Sequence, residues 1–169
     1  MYLQSNDQAQ YERVCLELIR RFGNTDQVHI AERVSKIALL LPSSGVDATT
    51  PLQLADFSVA NSKGSAALCW YQLAKGIAEY RRQHYEDAQV WLKRSLDTAG
   101  KTAAYCRALD HLFLAMSKHQ LNDRTAATQS LEMADQILKA HPDPGNAWND
   151  WIMANVVRRE ATELLKNTD

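Results

Sequence analysis

The chain has 169 residues, the size of one domain with a real core. Hydrophobic residues make up 46% and charged residues 23%, and the net charge of −1 comes with no basic block. This excludes the general footprint of a nucleic-acid binder. No apolar run approaches the roughly 20 residues of a membrane span, and residues 1–10 are polar and unlike a signal peptide.

Only 6 Gly and 4 Pro interrupt the chain, which favours long helices. The pattern predicts an all-α domain over 1–169 with about eight helices and no strand. The first helix runs 7–22, with Tyr11, Val14, Cys15, Leu18, Ile19 and Phe22 on one face. Gly23-Asn24 ends it. Asp26 is the expected cap of a second helix carrying Ile30, Ala31, Val34, Ile37, Ala38 and Leu41, which stops at Pro42. Thr50-Pro51-Leu52-Gln53 reads as a capping box opening a short third helix over 51–61.

From residue 65 the pattern is regular. Helices are expected over 66–83, 85–99, 102–121 and 123–140. The break His141-Pro142-Asp143-Pro144-Gly145 leads to a C-terminal helix over 146–166, with Asn146 as its cap. Short connections make neighbouring helices antiparallel. The expected hairpins are 7–42, 66–100 and 102–140, with the third helix an insertion.

Small residues recur at fixed spacing. Gly76 stands twelve positions before Ala88, and Ala115 twelve before Ala127. Gly inside a helix costs roughly 1 kcal/mol against Ala, and a close helix crossing compensates for it. Ile19 and Ala31 keep the spacing but not the small residue.

These residues, with Trp70-Tyr71-Gln72-Leu73 through Tyr80 and Tyr85-Glu86-Asp87-Ala88, resemble a tetratricopeptide repeat. The stretches 31–42, 74–81 and 148–161 are similar to the C-terminal helical region of large bacterial proteins. The N-terminal part of those proteins is a Ser/Thr protein kinase or a beta-propeller. The resemblance implies a TPR-like α-solenoid and a protein-interaction scaffold in bacterial signalling. Its partner would be a protein or peptide. An intrachain regulatory domain and a ligand-sensing helical domain are the alternatives.

By the same resemblance, first helices line a concave groove. Its expected lining is Arg20 with Arg13 and Leu16, then Trp70, Leu73, Ile77, Tyr80 and Arg81, then Leu109, Leu112, Met116 and His119. The family's carboxylate clamp would fall on Leu16, Arg20, Ala74, Leu109 and Phe113, where only Arg20 suits a carboxylate. Groove binding is therefore expected to be largely apolar. The C-terminal helix is apolar on most of its first half, with Trp148, Trp151, Ile152, Met153, Val156 and Val157. Trp151 is expected in the core and Trp148 at a contact surface, with a homodimer through this helix as one arrangement.

Catalytic signals are missing. There is no kinase Gly-rich loop, and Ala55-Asp56-Phe57-Ser58 lacks the Gly of a kinase Asp-Phe-Gly. The five histidines form no metal pattern, and three separated cysteines make neither a disulfide framework nor a zinc site. Glu86-Asp87 and Asp150 suit helix N-termini. The expectation is a cytoplasmic, non-enzymatic module with no cofactor, no metal, no nucleic acid and no membrane.

Overall fold

The computed structural model describes residues 7–100 and 103–166. Among the described residues the chain is all-α. The helices are α1 (Gln8–Phe22), α2 (Val28–Ala38), α3 (Thr49–Ala60), α4 (Leu68–Arg81), α5 (Tyr85–Thr98), α6 (Ala104–Gln120), α7 (Arg124–Ala140) and α8 (Trp148–Lys166). Among the described residues no helix is long and apolar enough to cross a membrane.

Helix ends follow local chemistry. Asp7 accepts a bond from the Gln10 amide and Asp123 one from the Ala126 amide, each 3.0 Å, satisfying helix-start donors. Glu86 and Asp87 occupy the first turn of α5. Three expected caps fail. Gln27, not Asp26, precedes α2, with the Thr25 hydroxyl accepting its amide at 3.2 Å. α3 begins at Thr49, so Thr50 and Pro51 fall inside its first turn, and Asp47 takes the Thr49 amide at 2.7 Å. Asn146 lies in a 3-10 turn, Gly145–Ala147, ahead of α8.

The two regular hairpins share their turn. Gln83 and Asn122 have φ of 65° and 63°, the left-handed region that non-glycine residues seldom enter. In each, the next residue's amide reaches back five positions, from His84 to the Glu79 carbonyl and from Asp123 to the Lys118 carbonyl. This bond closes a helix whose last carbonyls lack partners. Gly76 to Ala115, Gln83 to Asn122 and Ala88 to Ala127 are each 39 residues apart, so crossing and turn repeat together.

Packing is sequential. α4 lies on α5 and α6 on α7, while α3 also touches α4 and α5 touches α6. α4 meets both α2 and α6, and α6 meets α8. α2 packs more extensively on α3 than on α1. α3 is therefore a full partner of α2 rather than an insertion. The loop 39–48 disguised this by breaking the twelve-residue spacing.

The main core joins Leu73, Ile77, Leu92, Leu109, Leu112, Phe113 and Met116 to Met153, Ala154, Val157 and Ala161 of α8. Two smaller clusters, around Tyr11 and Cys15 and around Ala31 and Leu54, secure α1 and α3.

Candidate functional site

The structure separates the sequence-predicted groove residues into three groups. Leu73, Ile77, Leu109, Leu112 and Met116 have no solvent exposure, and Tyr80 is buried. They line no open groove here: α4 is enclosed by α2, α3, α5 and α6, and α8 lies against α6 in the same core. Met153, Ala154, Val157 and Ala161 of α8 join this core, while Ile152 and Val156, also buried, turn to the α1–α2 side of the helix. Trp70 is partly buried, with the Lys36 ammonium 4.2 Å above its ring. His119 is partly buried.

Arg81 does a different job from the one expected of it. Its Nη1 and Nη2 donate to Glu160 of α8 at 2.6 and 2.8 Å. Its Nε donates to the Leu39 carbonyl at 2.9 Å, and Nη2 also donates to the Leu40 carbonyl. The guanidinium sits over the Tyr80 and Phe113 rings at 5.2 and 5.5 Å. One side chain thus closes the C-terminal end of α2 and fastens α8 across α4. A planar fork of donors suits both tasks. Its donors are engaged within the chain.

Arg20 is exposed and bonds Glu17 at 2.8 and 2.9 Å, and Arg21 pairs with the same carboxylate. These bonds hold the Glu17 carboxyl at about 2. Leu16 and Trp148 are 52% and 42% exposed. Trp151 is partly buried and packs against the main core.

An open cleft lies between α1 and α2 on one side and α8 on the other. Two cavities form it, of about 690 and 500 Å³, and both are lined by Tyr11. Toward the C-terminal end of α8 the walls are Gln8, Leu41, Val156, Arg159 and Glu163. Toward its start they are Val14, Arg33, Lys36, Asn149 and Asp150. Tyr11 is fixed by donating to the Ile37 carbonyl at 2.7 Å and accepting the Leu41 amide at 3.3 Å, and burial pushes its phenol up. Lys36 lies 2.6 Å from Glu32, both buried. Burial raises the Asp150 carboxyl, against the pull of the Lys36 and Arg33 charges. The cleft mixes apolar walls with both signs of charge at each end, Arg159 and Glu163 at one and Arg33, Lys36 and Asp150 at the other.

Sequence reasoning missed this cleft. Tyr11 reads as one more member of an amphipathic face, and Asp150 as a helix-start carboxylate. Only the docking of α8 brings them to one opening. It also missed Glu79, His84 and Asp87, whose ligand atoms lie within 4.8 Å of one another. Glu79 already bonds Lys75, Arg82 and His84, and Lys75 and Arg82 share Asp56 of α3. Burial would raise the Glu79 carboxyl, but these partners together bring it below its usual value. The cluster is a charge network tying α3 to the α4–α5 turn.

Compared with protein-family models, with curated proteins and with solved structures, the chain matches none.

Proposed function

We propose that this chain is a protein-interaction scaffold of tetratricopeptide type, acting in bacterial signalling, whose binding surface is the cleft between α1–α2 and α8. The order of packing and the 39-residue recurrence of crossing and turn support the repeat reading. The observation that carries the binding surface is the pair of cavities meeting at Tyr11, beside an α6 face that α8 has already covered. An extended segment with apolar side chains and at least one charged group fits such walls. The sequence offers no constellation of a nucleophile and base, and a binding module is the simplest use of the fold.

A photo-crosslinking residue at Val14 or Asn149, introduced in the native host, tests the surface. Discrete adducts at both positions, with none at the exposed Gln129 of α7, are expected. Equal labelling at all three positions contradicts the reading. Adducts within the same polypeptide would favour an intrachain regulatory role over an external partner.

The exposure of Trp148 favours a second reading, a homodimer through α8. Light scattering should then show the wild type as a dimer and Trp148→Ala as a monomer. A monomeric wild type removes this reading.

A further inference from the structure

The α4–α5 turn gathers three side chains that sequence spacing does not connect. Gln83, with φ of 65°, folds the chain back, and the His84 amide donates to the Glu79 carbonyl. Glu79, His84 and Asp87 do not share one face of one helix, yet the turn brings a ligand atom of each within 4.8 Å of the other two. Among the described residues they are the one group of three His, Cys, Asp or Glu side chains so placed. His84 stands at the start of α5 without capping it. Its Nδ1 lies 2.9 Å from Glu79 Oε2 instead. Neighbouring donors on an ion bound at about 2.0–2.2 Å lie about 3 Å apart, so this pair is already at coordination spacing.

The two oxygens of Glu79 have separate duties. Oε1 accepts from Lys75 and from Arg82 Nη1, the latter at 3.0 Å. These bonds fix a carboxylate that is 5% exposed, and they leave Oε2 to His84. Outer bonds of this kind orient metal ligands. Burial would raise the Glu79 carboxyl, but Lys75, His84 and Arg82 bring it below its usual value, so it is ionised, as a ligand must be. Lys75 and Arg82 alone would repel a metal ion. Both also pair with Asp56, and with Glu79 and Asp87 the carboxylates outnumber them. His84 and Asp87 are exposed, so an ion can enter from solvent.

The second hairpin shows that the turn does not need these residues. The matching places 39 residues later hold Lys118, Asp123 and Ala126. The left-handed residue and the bond reaching back five positions are the same there, at Asn122 and Asp123. Asp123 caps α7 by accepting the Ala126 amide, and these three places hold no imidazole. The ligand set is an addition to one of two like turns.

We propose that Glu79, His84 and Asp87 bind a first-row divalent metal ion, of which Zn²⁺ fits best, at the α4–α5 turn. One imidazole nitrogen and two carboxylate oxygens suit such an ion, whereas Mg²⁺ and Ca²⁺ favour oxygen alone. The ion enters between Glu79 Oε2 and His84 Nδ1. Nδ1 gives up the proton it shares with the carboxylate, and Nε2 carries the ring proton. Water completes the coordination on the exposed side. Bound there, the ion joins the end of α4 to the first turn of α5.

Isothermal titration of the metal-free full chain with zinc chloride at neutral pH tests the site. One ion per chain should bind at micromolar zinc. His84→Ala and Asp87→Ala, both at exposed positions, should each weaken binding more than about tenfold. His29→Ala, at an exposed histidine elsewhere, should leave it unchanged. Glu79 is kept intact because its other oxygen holds Lys75 and Arg82. Cobalt(II) gives a second readout, since nitrogen and oxygen ligands give weak visible bands and thiolates add a strong near-ultraviolet band. The wild type should show the weak bands alone, and His84→Ala should lose them. No saturation below millimolar zinc overturns the proposal. So does binding that His84→Ala or Asp87→Ala leaves unchanged. A strong near-ultraviolet cobalt band also overturns it, by placing the ion on the cysteines.

Discussion

Gly76 and Leu92 touch so closely that a Cβ built on the glycine would lie 2.7 Å from the Leu92 Cγ and Cδ2 atoms and 3.3 Å from the Leu92 amide nitrogen. The contact is the point where α4 crosses α5. The glycine contributes closeness, not a special backbone angle.

Gly76→Ala should therefore destabilise the protein by about 1–2 kcal/mol, overpacking outweighing the better helix propensity of alanine. Urea unfolding checks it. In a Leu92→Ala background the same change should cost much less, because the two side-chain atoms at 2.7 Å are gone and only the amide contact at 3.3 Å remains. An equal loss in both backgrounds would mean that Leu92 is not what the new methyl meets.

Arg81 and Glu160 fasten α8. Replacing Arg81 with Met strands a largely buried carboxylate and two carbonyls at the end of α2, and should cost about 3 kcal/mol. Arg81→Lys should recover little, since a point charge cannot make the paired bonds. The double change Arg81→Met with Glu160→Met should cost less than Arg81→Met alone. Unfolding midpoints of the four proteins decide this.

Asp110 makes stability depend on pH. Its pKa is raised in the folded protein above its unfolded value of about 4. Its contribution is therefore complete below pH about 4 and is lost as pH rises toward the folded value. The Asp110 carboxyl lies 2.8 Å from the Ser95 hydroxyl, and Asp110→Asn keeps a polar partner there and cannot ionise. The variant should gain on the wild type by up to about 1.4 kcal/mol per pH unit from pH 4 upward, until the folded pKa is reached. A stability difference that stays flat between pH 4 and 8 would show that Asp110 does not titrate in this way.

Much of the helix plan is legible in the sequence because its causes are local. The expected helices end within a few residues of those found, since Gly23, Pro42 and the break at 141–145 act on their own neighbours. The small pairs Gly76/Ala88 and Ala115/Ala127 mark two hairpins because the crossing needs them. What the sequence hides is which helix covers which face. Leu73, Ile77, Leu112 and Met116 have the same apolar spacing whether they line a groove or a core. Arg81 finds Glu160 seventy-nine positions later, and no spacing rule foretells that. The candidate cleft inherits this problem, because its two walls come from opposite ends of the chain.

The docking of α8 on α6 is the point on which the rest depends, and native-state amide hydrogen exchange of the wild-type chain measures it directly. The amides of residues 152–161 should exchange about as slowly as those of residues 109–116 in α6, both opening only with global unfolding. Exchange in 152–161 orders of magnitude faster than in 109–116 would contradict the account. It would mean that α8 leaves its seat readily and that the α6 face beneath it is open to a partner.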